Sequence, residues 1–358
     1  MTSYAKLPLH IAELLYTGTV IPAHPLALTE HRELDVLHQR ALTRYYAASG
    51  AGGVAVGVHT TQFQIRDPEF DLLRPVLELA AETIDQMALA RPFIKIAGLV
   101  GPTDQALAEA DLAKSLGYHL GLLSVGGLAE WTENALLQRV REVAGVIPVF
   151  GFYLQPAVGG RVLSRTFWEQ MCEIPGVYAI KMAPFNRYQT LDVVRAACAS
   201  TRSDDIALYT GNDDNIVIDL LTRFRFEING RLVEKQIVGG LLGHWSVWTK
   251  RVVEIFAWIQ EVRERVEIPA ELLTLATQIT DVNAALFDAA HDFAGCIAGL
   301  HKILHRQGLL AGTWCLNPEE DLSVGQSEEI ERVCQEYGNL TDDSFVNEHL
   351  FSWLGVHT

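Results

Sequence analysis

A chain of 358 residues that is 49% hydrophobic and 20% charged can bury a large core, as one big domain with an appendage or as two ordinary domains. Its formal net charge of −16 excludes nucleic acid and anionic membranes as general partners, because like charges repel, yet a local pocket can still receive a small anion. The five cysteines (Cys172, Cys198, Cys296, Cys315 and Cys334) are widely spaced with no Cys-x-x-Cys pair, which reads as reduced thiols in a cytoplasmic protein.

In chain order, residues 1–10 lack the apolar core of a signal peptide. From Leu14 to about Trp258, short β-rich runs alternate with longer amphipathic stretches, the pattern of a parallel sheet with crossover helices. The expected strands are Leu14 to Val20, Gly53 to His59, Phe93 to Val100, His119 to Ser124, Pro148 to Leu154, Val177 to Lys181, Ile206 to Thr210 and Ile237 to Gly243. Several are nearly continuous apolar runs, as strands covered on both faces require. Between them, Thr103, Thr132 and Thr190 read as helix N-caps and Gly50, Gly117 and Gly145 as stops, while Leu34, Leu37, Ala41, Leu42 and Tyr45 give the first helix an apolar stripe. Eight βα units in roughly 250 residues fit a (β/α)8 TIM barrel. No Gly-x-Gly-x-x-Gly follows the first strand, so a dinucleotide-binding open sheet has no support.

Past Pro269 the strands stop. Helices are expected from Ala270 to about Gln335, interrupted between Gly308 and Pro318, and Phe345, Leu350, Phe351 and Trp353 suggest that the tail docks. The domain reading is a barrel over 1–265 and a helical C-terminal appendage over 266–358. The apolar run from Ala284 to Leu300 is broken by Asp288, His291 and Asp292, so no membrane span is expected.

In a barrel of this kind chemistry sits at the C-terminal ends of strands, which makes polar residues closing apolar runs informative. Lys181 closes Gly176-Val-Tyr-Ala-Ile-Lys181; apolar walls there lower an amine pKa and suit a Schiff-base nucleophile. Tyr153 closes the preceding strand and is the expected proton carrier, given an interstrand spacing of about 4.8 Å. Thr60 and Thr61 follow the second strand and suit a carboxylate, although a cap is an equally good reading of both. After the seventh strand, Gly211 lets the backbone approach a ligand, and Asn212 lies beside it.

This ordered set resembles the dihydrodipicolinate synthase and N-acetylneuraminate lyase family of class I aldolases and hydro-lyases. Members look like Gly-Thr-Thr-Gly-Glu after strand two, Tyr-Asn-x-Pro after strand five, Ile-Lys after strand six and Gly-x-Asp after strand seven. The counterparts here are His59-Thr60-Thr61-Gln62-Phe63, Tyr153-Leu154-Gln155-Pro156, Ile180-Lys181 and Gly211-Asn212-Asp213. The resemblance implies that Lys181 condenses with pyruvate or another 2-oxo acid without metal or cofactor, that Tyr153 shuttles protons, that Thr60 and Thr61 hold the carboxylate, and that the protein is a homotetramer or dimer. The departures imply a different second substrate from the lysine-pathway synthase. Ala157-Val158-Gly159-Gly160 stands where that synthase carries an arginine, with Arg161 out of register, and Ser124 to Gly127 lacks its interface tyrosine. Ala183 likewise replaces the threonine of the sialic-acid lyases.

Two other readings compete. A catalytically altered barrel binding a 2-oxo acid as a regulatory protein is suggested by the changed loop from His59 to Phe63. A metal-dependent lyase would draw on His301 and His305, four apart on a helix, or on Asp213 and Asp214; a solvated helix face and a capped turn are the plainer readings of those pairs.

Overall fold

The computed structural model describes residues 4–355. In chain order the elements are α1 (Leu9–Thr17), β1 (Val20–Pro22), α2 (Val36–Ala48), β2 (Gly53–Val56), α3 (Leu73–Gln86), β3 (Ile94–Leu99), α4 (Thr103–Ser115), β4 (Leu120–Leu123), α5 (Glu133–Val146), β5 (Val149–Tyr153), α6 (Arg165–Cys172), β6 (Val177–Met182), α7 (Arg187–Ala199), β7 (Ala207–Thr210) and α8 (Ile216–Leu221). A hairpin, β8 (Arg223–Ile228) and β9 (Arg231–Gln236), precedes β10 (Gly239–Leu242), and α9 (Thr249–Val262), α10 (Glu271–Leu286), α11 (Cys296–Arg306), α12 (Gln326–Glu336) and α13 (Asp343–Trp353) complete the chain.

Eight strands form one sheet in the order β1-β10-β7-β6-β5-β4-β3-β2. The two ends of that order meet, because Ala23 bridges Ala55 in parallel and His24 N–H donates to the Ala55 carbonyl at 2.8 Å. This is the strand set of a (β/α)8 barrel, with helices between strands and four more at the C-terminal end. Nearly every residue of the eight strands is buried, as expected for strands sandwiched between an interior and a helical layer.

The chain divides into two compact units. One comprises residues 1–19 and 94–241. Here β3 to β7 pair in parallel with continuous register, and Phe152 lies opposite Lys181, which in turn lies opposite Tyr209. The exposed hairpin belongs to this unit. Its turn is Asn229-Gly230, both at left-handed φ (52° and 73°), the conformation a two-residue hairpin turn requires. Phe226 of the hairpin lies 4.2 Å from the Arg195 guanidinium of α7.

The other unit comprises residues 20–93 and 242–358. Its tail docks through α13: Trp353 is buried against Tyr45, whose hydroxyl donates to Asp342 at 2.7 Å and accepts from Thr249 N–H. Phe351, by contrast, is exposed.

Three local expectations are corrected. Leu14 to Thr17 belongs to a helix started by Pro8 and ended at Gly18 (φ 90°), and the first strand is only Val20–Pro22. Thr132 does cap its helix, but Thr190 lies inside α7, where Asn186 is the cap; its hydroxyl turns back to the Asn186 carbonyl. Gly145 lies within α5 instead of ending it.

Candidate active site

Lys181 is one of the buried cations of the first unit, with Lys95 and Arg139. It stands one residue before the end of β6, and its Nζ is 4.5 Å from the centre of the Phe152 ring. Burial lowers its pKa from the ordinary lysine value to about 8, with the Asp213 carboxylate pulling it back up. An amine in that condition keeps a sizeable neutral, nucleophilic minority near physiological pH, where an ordinary lysine keeps almost none. Gly211 supplies the room: a Cβ at that position would fall 2.5 Å from Lys181 Cε and 2.9 Å from Ala183 Cβ.

Alternation along β5 decides the role of its last two residues. Phe152 is the register partner of Lys181, while Tyr153 is that of Met182 and so belongs to the opposite face. The Tyr153 ring packs on Trp168 of α6 with centroids 5.0 Å apart, and its hydroxyl accepts from Leu163 N–H at 3.3 Å. Burial raises its pKa. The structure thus brings Lys181 together with Phe152, Gly211 and Asp213, and seats Tyr153 against the helical layer.

Asn212 is buried and its amide is fully engaged. It accepts from Phe185 N–H at 3.1 Å and donates to Asp219 at 2.9 Å and Thr190 at 3.3 Å. Asp219 also accepts from the Thr210 hydroxyl and from Arg187, both on short bonds of 2.7 and 2.5 Å. This network fixes the β6–α7 and β7–α8 loops, including Phe185 at φ 50°, and leaves Asn212 a positioning residue. Arg161 is likewise committed: it donates to the carbonyls of Leu128, Ala129 and Trp131, tying down the loop before α5. Asp219 and Phe152 were not singled out in the sequence, where an aspartate in an apolar helix and a phenylalanine in a strand give no individual signal.

In the second unit, Thr60 and Thr61 form a 3-10 turn just after β2. Thr61 is entirely buried; its hydroxyl donates to the His24 carbonyl at 2.7 Å and accepts from Gly57 and Val58 N–H. Thr60 makes a single longer hydroxyl bond, 3.3 Å to the same carbonyl. Gln62 follows at φ 67°, a left-handed conformation that favours glycine, the residue the resembled motif carries there.

Three histidines of this unit are buried and held neutral, with pKa lowered to about 4 by burial: His24, His244 and His301. His244 follows β10 beside Asn283 of α10, with 3.5 Å between the amide nitrogen and the imidazole. His301 and His305 form neither a metal pair nor a solvated face. His301 is buried with Nδ1 on the Thr313 carbonyl, and His305 is bonded to the Leu310 carbonyl. Among the described residues no group of three His, Cys, Asp or Glu side chains is placed to hold a metal ion, and no helix is long and apolar enough to cross a membrane. The five cysteines are buried and none is in a disulfide.

The fold is that of the dihydrodipicolinate synthase and N-acetylneuraminate lyase barrels. The dihydrodipicolinate synthase from Oceanobacillus iheyensis superposes with a TM-score of 0.70 at 14% identity, over 92% of this chain and 99% of its own. The N-acetylneuraminate lyase from Fusobacterium nucleatum gives 0.68 at 16% identity, over 90% and 99%. A chloride-inhibited dihydrodipicolinate synthase from Acinetobacter baumannii, complexed with pyruvate, gives 0.71 at 17% identity, also over 90% and 99%. No family model matches the chain, and no curated protein matches it by sequence.

Proposed function

We propose that this protein is a class I lyase, an aldolase or hydro-lyase, in which Lys181 forms a Schiff base with pyruvate or another 2-oxo acid. The observation that carries this reading is a buried lysine at the end of β6 with a pKa lowered to about 8 and a glycine-shaped space beside it. The likeness to barrels with lyase names, one of them complexed with pyruvate, points the same way.

In this mechanism neutral Lys181 attacks the ketone carbon, and the carbinolamine so formed breaks its C–O bond, losing the former ketone oxygen as water. The resulting iminium accepts the electron pair released when a C–C bond breaks or a proton leaves the neighbouring carbon. Asp213, whose charge already acts on Lys181, is the proton carrier we place in the first steps. Tyr153 could take that role only by leaving the Trp168 stack and its bond to Leu163. Of the two threonines, Thr60 is the one whose hydroxyl remains for a carboxylate, since Thr61 closes its own turn. The divergent His59 to Phe63 turn supports a second substrate other than that of the lysine-pathway synthase. We read residues 1–265 as the catalytic barrel and 266–358 as its appendage, in a soluble, cytoplasmic homo-oligomer that needs no metal or cofactor.

The test is incubation with pyruvate and borohydride, followed by intact mass and peptide mapping. The expected result is one reduced pyruvyl adduct on Lys181, absent from Lys181→Ala. No adduct with pyruvate or with a panel of other 2-oxo acids would remove the Schiff-base reading and favour a binding barrel.

A further inference from the structure

Within the second unit, three loops line one groove: the turn before α2, the stretch between β2 and α3, and the segment between α11 and α12. The turn is tied by its own sequence. The Thr29 hydroxyl accepts from His31 and Glu33 N–H, Thr29 N–H donates to the Glu33 carbonyl at 2.8 Å, and Arg32 is held at a left-handed φ of 59°. A residue other than glycine sustains that conformation only when its surroundings dictate it. The loops are also bonded to one another. Arg32 Nε donates to the Cys315 carbonyl at 2.9 Å and Leu316 N–H donates to Gln62 Oε1 at 2.6 Å, while Leu72 N–H closes the middle loop on the Ile65 carbonyl. The groove is therefore preformed, and its volume of about 710 Å³ is that of a small-molecule site.

The lining combines both signs of charge with an apolar part. Arg32, Glu33 and Glu69 supply the charges, and Phe70, Leu72 and Leu316 the apolar surface. Of the Arg32 side chain only Nε is bonded. Its two terminal nitrogens have no partner among the described residues, and neither do the carboxylates of Glu33 and Glu69. His31, also in the lining and largely exposed, faces Glu30 at 3.7 Å. A guanidinium anchored through Nε presents its remaining N–H groups as a fixed fork, the geometry that receives a carboxylate on two parallel bonds. A plain carboxylic acid would meet two like charges in the same groove. A ligand that carries an ammonium beside its carboxylate satisfies both signs.

We propose that this groove binds a free amino acid with a large apolar side chain. Arg32 takes the carboxylate through its terminal nitrogens, Glu33 and Glu69 face the ammonium, and the side chain lies on Phe70, Leu72 and Leu316. Two of the three loops follow strands β1 and β2, the end of a barrel at which ligands bind. The inference is independent of the Schiff-base reading, because none of its residues takes part in that chemistry.

The test is calorimetric titration of the full-length protein with L-phenylalanine, 3-phenylpropanoate and phenethylamine, which differ only in which of the two charges they carry. Phenylalanine is expected to bind saturably at one site, and each of the other two about tenfold more weakly or worse. Arg32→Asn removes the fork with a residue that tolerates the left-handed backbone, and is expected to raise the phenylalanine Kd about tenfold. Glu69→Gln, on an exposed part of the loop, is expected to raise it severalfold and serves alone if Arg32→Asn does not melt like the wild type. Lys181→Ala is expected to bind phenylalanine as the wild type does. No saturable binding of phenylalanine, equal binding of the three probes, or an unchanged Kd in a folded Arg32→Asn would overturn the proposal. Loss of binding in Lys181→Ala would overturn it too, by moving the ligand to that lysine.

Discussion

The end of β6 and the turn after β2 both close an apolar strand with polar side chains, and they use them differently. At β6 a single amine is left in an apolar setting, with an aromatic face on one side, one carboxylate acting on it, and a missing side chain at Gly211. At the β2 turn the Thr61 hydroxyl is bonded three times over to its own backbone neighbourhood. The first arrangement lowers the stability of a charge and so prepares reactivity; the second holds a backbone turn. Residue type alone does not separate these outcomes. The number of bonds already made does.

The sharpest way to break this contrast is Lys181→Ala, which is expected to abolish trapping by pyruvate and borohydride while the protein still melts cooperatively. Gly211→Ala comes next. Its methyl would collide with Lys181 Cε, so a fall of about 100-fold in the trapping rate is expected, the usual cost of displacing a reacting group by about an ångström. Thr61→Val should act on stability instead, costing about 1–3 kcal/mol in chemical denaturation because Gly57 and Val58 N–H lose their acceptor. Tyr153→Phe is expected to do least. With its hydroxyl on Leu163 N–H, its loss should cost about 1 kcal/mol of stability and leave the trapping rate within a few-fold of wild type. A collapse of trapping in Tyr153→Phe would show that the ring leaves Trp168 during the reaction.

Much of this was legible in the sequence. Seven of the eight expected strands lie where the apolar runs are, because a strand buried on both faces has few polar positions. Lys181 was legible as a charge ending such a run. The first strand was not: Leu14 to Val20 is apolar enough for either state, and Pro8 and Gly18 make most of it a helix. The Asn229-Gly230 hairpin carried a turn signal that the regular βα rhythm overshadowed. The partner of Lys181 was read as Tyr153 from strand adjacency, but a one-residue difference in register exchanges the faces and puts Phe152 there. Asn212 and His301 were visible as polar residues, yet their engagement depends on Asp219, Phe185 and Thr313, which are distant or unremarkable in sequence.

The most direct measurement is the initial rate of pyruvate trapping at Lys181 as a function of pH. A lysine whose pKa is lowered reacts through its neutral form, so the rate should rise with pH and level off above about 8. In Asp213→Asn, which removes the charge that favours the ammonium, the midpoint should move to lower pH. A rate still climbing toward the ordinary lysine pKa of about 10.4, with no plateau, would contradict a buried, primed Lys181.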